Sequence, residues 1–289
     1  MSEDLDRNGK NNEEKLQKYY MTCREYFGEL SKKDFDQWFS SYYSVLKTGK
    51  GWILDVGCGA GQVVNKLVDE GFCAVGIDIS PIGIQIASKR GEGFFIVASA
   101  NNLPFQNDLF TIVGFYDFLE HTYHPGTCLN EMIRVLSCDG KIVAAAPNFL
   151  RVIGLSHPYH WHMSGIKQRT LNLFNLLRKF IISKTFSRNM RFEFMQPQLD
   201  PRGQGGDVDA VCLTNPIDIK FYLKRLNVKI VKESAIPNHS KQIIKKVGEM
   251  PFLRSMSSFT FLIGIKMATS KHEKQKMEVV EIGECKKLE

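Results

Sequence analysis

The run Ile53-Leu54-Asp55-Val56-Gly57-Cys58-Gly59-Ala60-Gly61 constrains this chain more than any other segment. Residues suited to a buried strand lead into alternating glycines, and a helix-forming stretch follows. Glycine accepts backbone conformations closed to other residues and lets main chain approach a ligand with no Cβ in the way. A second apolar run then closes on a lone acid, Asp78. In doubly wound α/β sheets, an acid about 20 residues beyond such a turn accepts from ribose hydroxyls at the strand ends. The pattern therefore implies a nucleoside-binding crevice. It reads G-x-G-x-G, without the third glycine of the dinucleotide fingerprint, and so argues against NAD.

The 289 residues accommodate one α/β domain of ordinary size with additions. No apolar stretch approaches the roughly 18 residues of a membrane span, and Met-Ser-Glu-Asp-Leu-Asp-Arg lacks the basic start and apolar core of a signal peptide. Seven scattered cysteines with no C-x-x-C read as free thiols of a cytoplasmic protein. The net charge of +7 is unevenly spread: residues 1–149 hold 14 Lys and Arg against 19 Asp and Glu, and residues 150–289 hold 24 against 12. A basic second half suits either an anionic partner or a solvated surface.

Along the chain, residues 1–14 are polar and read as disordered. Residues 15–46 carry aromatics at helical spacing and predict two amphipathic helices, broken near Ser31, that form a cap over the adjacent core or over the crevice. Strands are expected at Trp52–Val56, Cys73–Ile77, Phe94–Val97, Phe110–Tyr116 and Lys141–Ala146, alternating with helices. That alternation predicts an α/β fold of Rossmann-like, doubly wound type. After Pro147 the rhythm lapses, and residues 149–214 are read as an insertion, or lid, after strand five. Within it a basic amphipathic helix, Ile166–Ile182, sets Ile166, Leu173, Phe174, Leu177 and Ile181 to one side. That face suits either a domain core or lipophilic pocket, or peripheral contact with an anionic membrane. A helix from Asn215-Pro216 and strands at Val228–Ile236 and Phe259–Met267 complete a mostly parallel seven-stranded sheet, so the domain spans residues 47–268. Residues 269–289 form a charged tail.

Four blocks in order resemble the class I S-adenosylmethionine-dependent methyltransferases, in particular the small-molecule enzymes of ubiquinone and menaquinone biosynthesis. They are the glycine turn, Gly76-Ile77-Asp78-Ile79-Ser80, Leu103-Pro104-Phe105, and Leu119-Glu120-His121 with Glu131, Arg134 and Pro147-Asn148 beyond it. The resemblance covers roughly residues 50–150. It implies S-adenosyl-L-methionine as cofactor, bound by Asp55, Gly57, Cys58, Gly59, Gly61, Asp78, Ile79, Ser99, Ala100 and Tyr116. Asp55 reads either as a contact to the methionine ammonium or as a buried organiser of the turn. Where the family has Gly-Asp-Ala-Glu this chain has Ala98-Ser99-Ala100-Asn101. Ser99 replaces the adenine-binding aspartate with an uncharged, shorter acceptor, which implies looser adenine recognition.

Asp117 and His121 fall where the family places its reaction centre. Imidazole as a class titrates near neutrality and suits proton removal, although methyl transfer from a sulfonium needs only alignment when the nucleophile is already reactive. His157, His160 and His162 offer either an aromatic substrate rim or a metal site; the rim is the preferred reading, and no metal is expected. The function expected is methyl transfer to a small-molecule acceptor, oxygen slightly favoured, of anionic, glycosylated or lipophilic character. The alternatives are nucleic-acid or protein methylation and a non-catalytic scaffold. Strand four ends Tyr116-Asp117-Phe118-Leu119 rather than in the Asn/Asp-Pro-Pro-Tyr/Phe turn of base and glutamine methyltransferases, and no RNA-binding module is present, so no nucleic-acid partner is expected.

Overall fold

A computed structural model describes residues 7–152, 165–185, 190–200, 209–234, 255–256 and 259–268. The core of the molecule is a seven-stranded sheet. β1 (Ile53–Val56) lies between β2 (Ala74–Asp78) and β4 (Phe110–Tyr116), with β3 (Phe94–Val97) beyond β2 at the edge. β5 (Leu136–Pro147) pairs with β4, and these five strands run parallel. β7 (Phe259–Lys266) adds antiparallel to β5, and β6 (Val228–Ser234) pairs antiparallel with β7. The order β3-β2-β1-β4-β5-β7-β6 puts the reversal of winding between β1 and β4, the place where such sheets open a crevice at their carboxyl ends.

The helices follow from local signals. α5 (Gln62–Asp69) buries Val63, Val64 and Leu67, the spacing of one helical face, and the chain leaves it through Gly71 at φ +87°. α6 (Pro81–Arg90) starts at Ser80, whose hydroxyl accepts from the Gly83 amide at 3.1 Å, with proline in the first turn. α9 (Pro216–Arg225) is capped likewise by Asn215, which accepts from the amides of Ile217 and Asp218. α7 (Pro125–Val135) and α9 cover one face of the sheet around Val113, Phe115 and Leu129. α5 and α4 (Ser40–Leu46) cover the other around Ile53, Ile112 and Leu67.

Several expectations need correction. The polar start is not disordered from residue 7 onward: α1 spans Arg7–Thr22. Asn12 donates to Gln196 and Glu13 pairs with His124 at 3.0 Å, so this polar stretch docks by specific contacts rather than by apolar burial. The cap is four helices rather than two: α1, α2 (Arg24–Ser31), α3 (Phe35–Trp38) and α4. The extra break falls at Cys23, and Tyr20 and Phe27 on either side of it pack into one cluster with Leu16 and Tyr123. β5 starts at Leu136 rather than Lys141, because α7 runs straight into it and Leu136 already pairs with Phe110; Asp139 absorbs the irregularity at φ +61°. Cys23, Cys58, Cys128, Cys138 and Cys212 remain thiols, whereas Cys73, half-buried just before β2, is disulfide-bonded.

The helix expected at 166–182 is α8 (Ile166–Thr185), and it turns only part of its apolar side inward, Leu173, Leu176 and Ile182 packing near Leu150, Met190 and Ile217. Its buried side holds Asn172, Leu176 and Lys179. Asn172 donates to the carbonyls of Phe149 and Arg151, and the Lys179 ammonium meets the buried Asp218 carboxylate at 2.8 Å. These polar anchors fix the rotation of the helix, and Phe174, Leu177 and Ile181 face outward. Among the described residues no helix is long and apolar enough to cross a membrane. His157, His160, His162 and the tail 269–289 lie outside the described residues.

Candidate active site

The turn after β1 is held from below by β2. The amides of Gly57 and Cys58 both donate to the Ile77 carbonyl at 2.9 Å, and Gly61 donates to Cys58 at 2.9 Å. Gly57, Gly59 and Gly61 all adopt left-handed φ, between +53° and +73°, a region other residues enter only with strain. Asp78, at the end of β2, closes the turn: Oδ2 accepts from the Gly59 amide at 3.0 Å and Oδ1 from Ser80 at 2.8 Å. Burial raises its pKa, and those two amides and the His121 charge hold the rise down.

A cavity of about 1200 Å³, its open mouth included, lies over this turn. Gly57, Cys58, Gly59, Asp78, Ile79, Ser99, Ala100, Tyr116, Asp117 and His121 all line it, so most of the residues singled out in the sequence converge there. The opposite wall comes from the cap, with Leu16, Tyr20, Phe27 and Leu30 among its members. A Cβ on Gly59 would stand 2.5 Å from Leu30, which shows how closely the cap rests on the turn.

Two candidates stand outside the cavity lining. Gly61 faces inward, where a Cβ would meet Ala87 at 2.5 Å and Phe95 at 2.7 Å; its role is packing of α5 against α6 and β3. Gly61→Ala is expected to lower stability by roughly 2–5 kcal/mol through left-handed strain and overpacking. A urea midpoint equal to that of the parent would remove this assignment.

Asp55 is buried beneath the turn and accepts from the Tyr42 hydroxyl at 2.6 Å. Burial pushes its carboxyl up to about 7, Tyr42 pulls it down and the neighbouring Asp78 charge pushes it further up. The folded protein therefore keeps this proton between about pH 4 and 7, where the unfolded chain releases it, and stability falls as pH rises through that window. Asparagine retains an acceptor for Tyr42 and cannot ionise. Asp55→Asn is expected to flatten the dependence between pH 4 and 7 and to raise stability at pH 8 by roughly 1 kcal/mol or more. Parallel curves for the two proteins in denaturant titrations across this range would contradict it.

His121 sits in a 3₁₀ turn, Leu119–His121, after β4. Its Nδ1 lies 2.9 Å from the Tyr20 hydroxyl, and that hydroxyl donates to the Asp209 Oδ2 at 2.7 Å. Burial and the Asp209 charge raise the Tyr20 phenol well above its usual value, so it stays protonated. With its single proton committed to Asp209, Tyr20 receives the Nδ1 hydrogen of His121. In a neutral imidazole that arrangement puts the lone pair on Nε2. The Glu120 carboxylate stands 3.8 Å from Nε2. Neither Tyr20 nor Asp209 was singled out in the sequence, for Tyr20 is one aromatic in a helical stripe and Asp209 sits 189 positions away.

Ser99 keeps its hydroxyl in the cavity wall while accepting from the Asn101 amide at 3.3 Å. The Leu103-Pro104-Phe105 block is structural. Arg134 pairs with Glu131 at 2.7 Å and donates to the carbonyls of Leu103 and Phe105, while Glu131 accepts from the Leu103 amide. This clamp carries the loop that supports Ser99 and Ala100.

The family model described as a methyltransferase domain matches residues 54–144. An uncharacterised protein of Methanocaldococcus jannaschii is 31% identical over 139 residues, 44% of this chain and 53% of that protein. A demethylmenaquinone methyltransferase of Renibacterium salmoninarum is 32% identical over 94 residues, 32% of this chain and 40% of its own length. The chain thus spans about half the length of the curated relatives it matches first. In fold alone it is similar to magnesium protoporphyrin IX methyltransferase from Synechocystis, solved with bound SAH, at a TM-score of 0.53 and 12% identity over 88% of this chain and 99% of that one. The methyltransferase domain falls on the stretch of sheet that builds the cavity, and over that stretch the chain is similar to S-adenosylmethionine-dependent methyltransferases.

Proposed function

We propose that this protein transfers a methyl group from S-adenosylmethionine to a hydroxyl of a small-molecule acceptor, with His121 as general base. The observation that carries the reading is the chain Asp209–Tyr20–His121, in which Tyr20 and His121 line the cavity and the Tyr20 hydroxyl engages Nδ1, so that Nε2 is the ring nitrogen left to take a proton. When bound, the cofactor supplies an electrophilic methyl on a sulfonium. Asp78 has the acceptor capacity and burial for the ribose hydroxyls, and the Gly57–Gly59 backbone leaves room for close approach. Ser99 and Ala100 form the wall suited to the adenine.

In the transfer the acceptor oxygen attacks the methyl carbon as its proton passes to His121 Nε2. The O–C bond forms, the C–S bond breaks, and its electron pair stays on sulfur. Tyr20 and Asp209 hold the imidazole in the required tautomer. Asp117, at φ +47° beside His121 in the wall, positions this corner. The insertion after β5, basic and aromatic, is the segment suited to choosing an anionic, glycosylated or lipophilic acceptor, and the enzyme works in the cytoplasm.

Calorimetry with S-adenosylmethionine, followed by transfer of labelled methyl into a crude metabolite extract, tests the reading. No heat and no thermal shift at millimolar cofactor would leave only a scaffold with this fold.

A further inference from the structure

The outward face of α8 is apolar in a helix that carries five basic residues and no acidic one. Ile166 is 84% exposed, Phe174 66% and Ile181 58%, and Leu171, Leu177 and Phe180 are also exposed. At 100° per residue these side chains fall on one half of the helix, opposite the anchors Asn172, Leu176 and Lys179. Lys184 sits in that same arc, with its ammonium 4.4 Å from the Phe180 ring, and Lys167 and Arg178 stand at its margin. Soluble proteins seldom leave so many large apolar groups contiguous unless something covers them.

We propose that α8 is a membrane-surface helix that docks this protein on an anionic lipid bilayer. Its apolar arc inserts among the acyl chains near the headgroups, and Lys167 and Lys184 reach back to the phosphates, as amphipathic cations do at such boundaries. Charge decides the occupant. A second copy placed face to face would set Lys167, Arg178 and Lys184 against themselves, whereas anionic headgroups complement them. Arg178 is shared with Glu193 at 2.5 Å, so Lys167 and Lys184 carry most of the attraction. The buried Lys179–Asp218 pair and the Asn172 bonds hold the helix against the domain, so the docking face is preformed and rigid. The helix lies on the bilayer and does not cross it.

Co-sedimentation of the full chain with vesicles tests this without cofactor or acceptor, and so independently of the methyl-transfer reading. The protein is expected to pellet with vesicles of phosphatidylglycerol and phosphatidylcholine and far less with phosphatidylcholine alone. Phe174→Glu with Ile181→Glu is expected to cut partitioning more than tenfold, about 1.4 kcal/mol. Lys167→Ala and Lys184→Ala are each expected to cost roughly fivefold. All four sites are exposed, so thermal midpoints should match the parent. Equal recovery on neutral and anionic vesicles would overturn the proposal, as would unaltered binding by the double glutamate variant. A parent that ignores vesicles but forms a dimer abolished by the same variant would instead assign the face to a second copy.

Discussion

His121→Ala is expected to slow methyl transfer to a hydroxyl acceptor by roughly 10²–10⁴-fold, the usual worth of a positioned general base. Cofactor affinity should change little, because the imidazole spends its Nδ1 on Tyr20 rather than on the turn. Tyr20→Phe separates the base from the means of orienting it. It removes the oxygen that receives the Nδ1 hydrogen and leaves the buried Asp209 without this donor. A smaller loss, roughly tenfold, is expected together with a shifted pH profile of the rate, since the imidazole is then free to adopt either tautomer. Rates measured under saturating cofactor with labelled methyl read both effects. Full activity in His121→Ala would mean that the protein contributes alignment alone and that the acceptor arrives already ionised or is not a hydroxyl.

Asp78→Ala is expected to weaken S-adenosylmethionine binding by more than tenfold, about 1.4 kcal/mol or more. Two losses combine. The ribose acceptor disappears, and the amides of Gly59 and Ser80 lose the carboxylate that they share. Asparagine does not repair this, because its amide nitrogen must face one of those two backbone donors. Asp78→Asn should therefore behave more like alanine than like the parent, a pattern not expected of an acid that merely interacts at a distance. Titration calorimetry on both variants is the measurement, and an unchanged dissociation constant for Asp78→Ala would remove the ribose assignment.

What could be read from the sequence was local. The β1 turn, the Ser80-Pro81 cap and the Gly71 exit each depend on residues within a few positions of one another, and the structure has them where their spacing required. Leu103-Pro104-Phe105 and the Glu131–Arg134 pair were visible as separate blocks. Their common purpose, a clamp across 28 positions, emerges only in three dimensions. The Tyr20–Asp209 contact has no local signature at all. The orientation of α8 is not legible for a different reason. Its apolar stripe describes a helix with two unlike sides, but which side turns inward was settled by partners elsewhere, Asp218 in α9 and the carbonyls after β5. Asp55 shows the same limit: a motif places it beside the turn, and Tyr42 from the cap draws its carboxylate below it.

Because one wall of the cavity is made of α1 and α2, any displacement of the cap would dismantle part of the cavity and would therefore be coupled to cofactor binding. The free energy of binding is reduced by whatever is needed to populate the closed arrangement, and the apparent dissociation constant is the intrinsic one divided by the closed fraction. A contact outside the cavity lining, such as Asn12 with Gln196, would thereby enter the affinity as a population term.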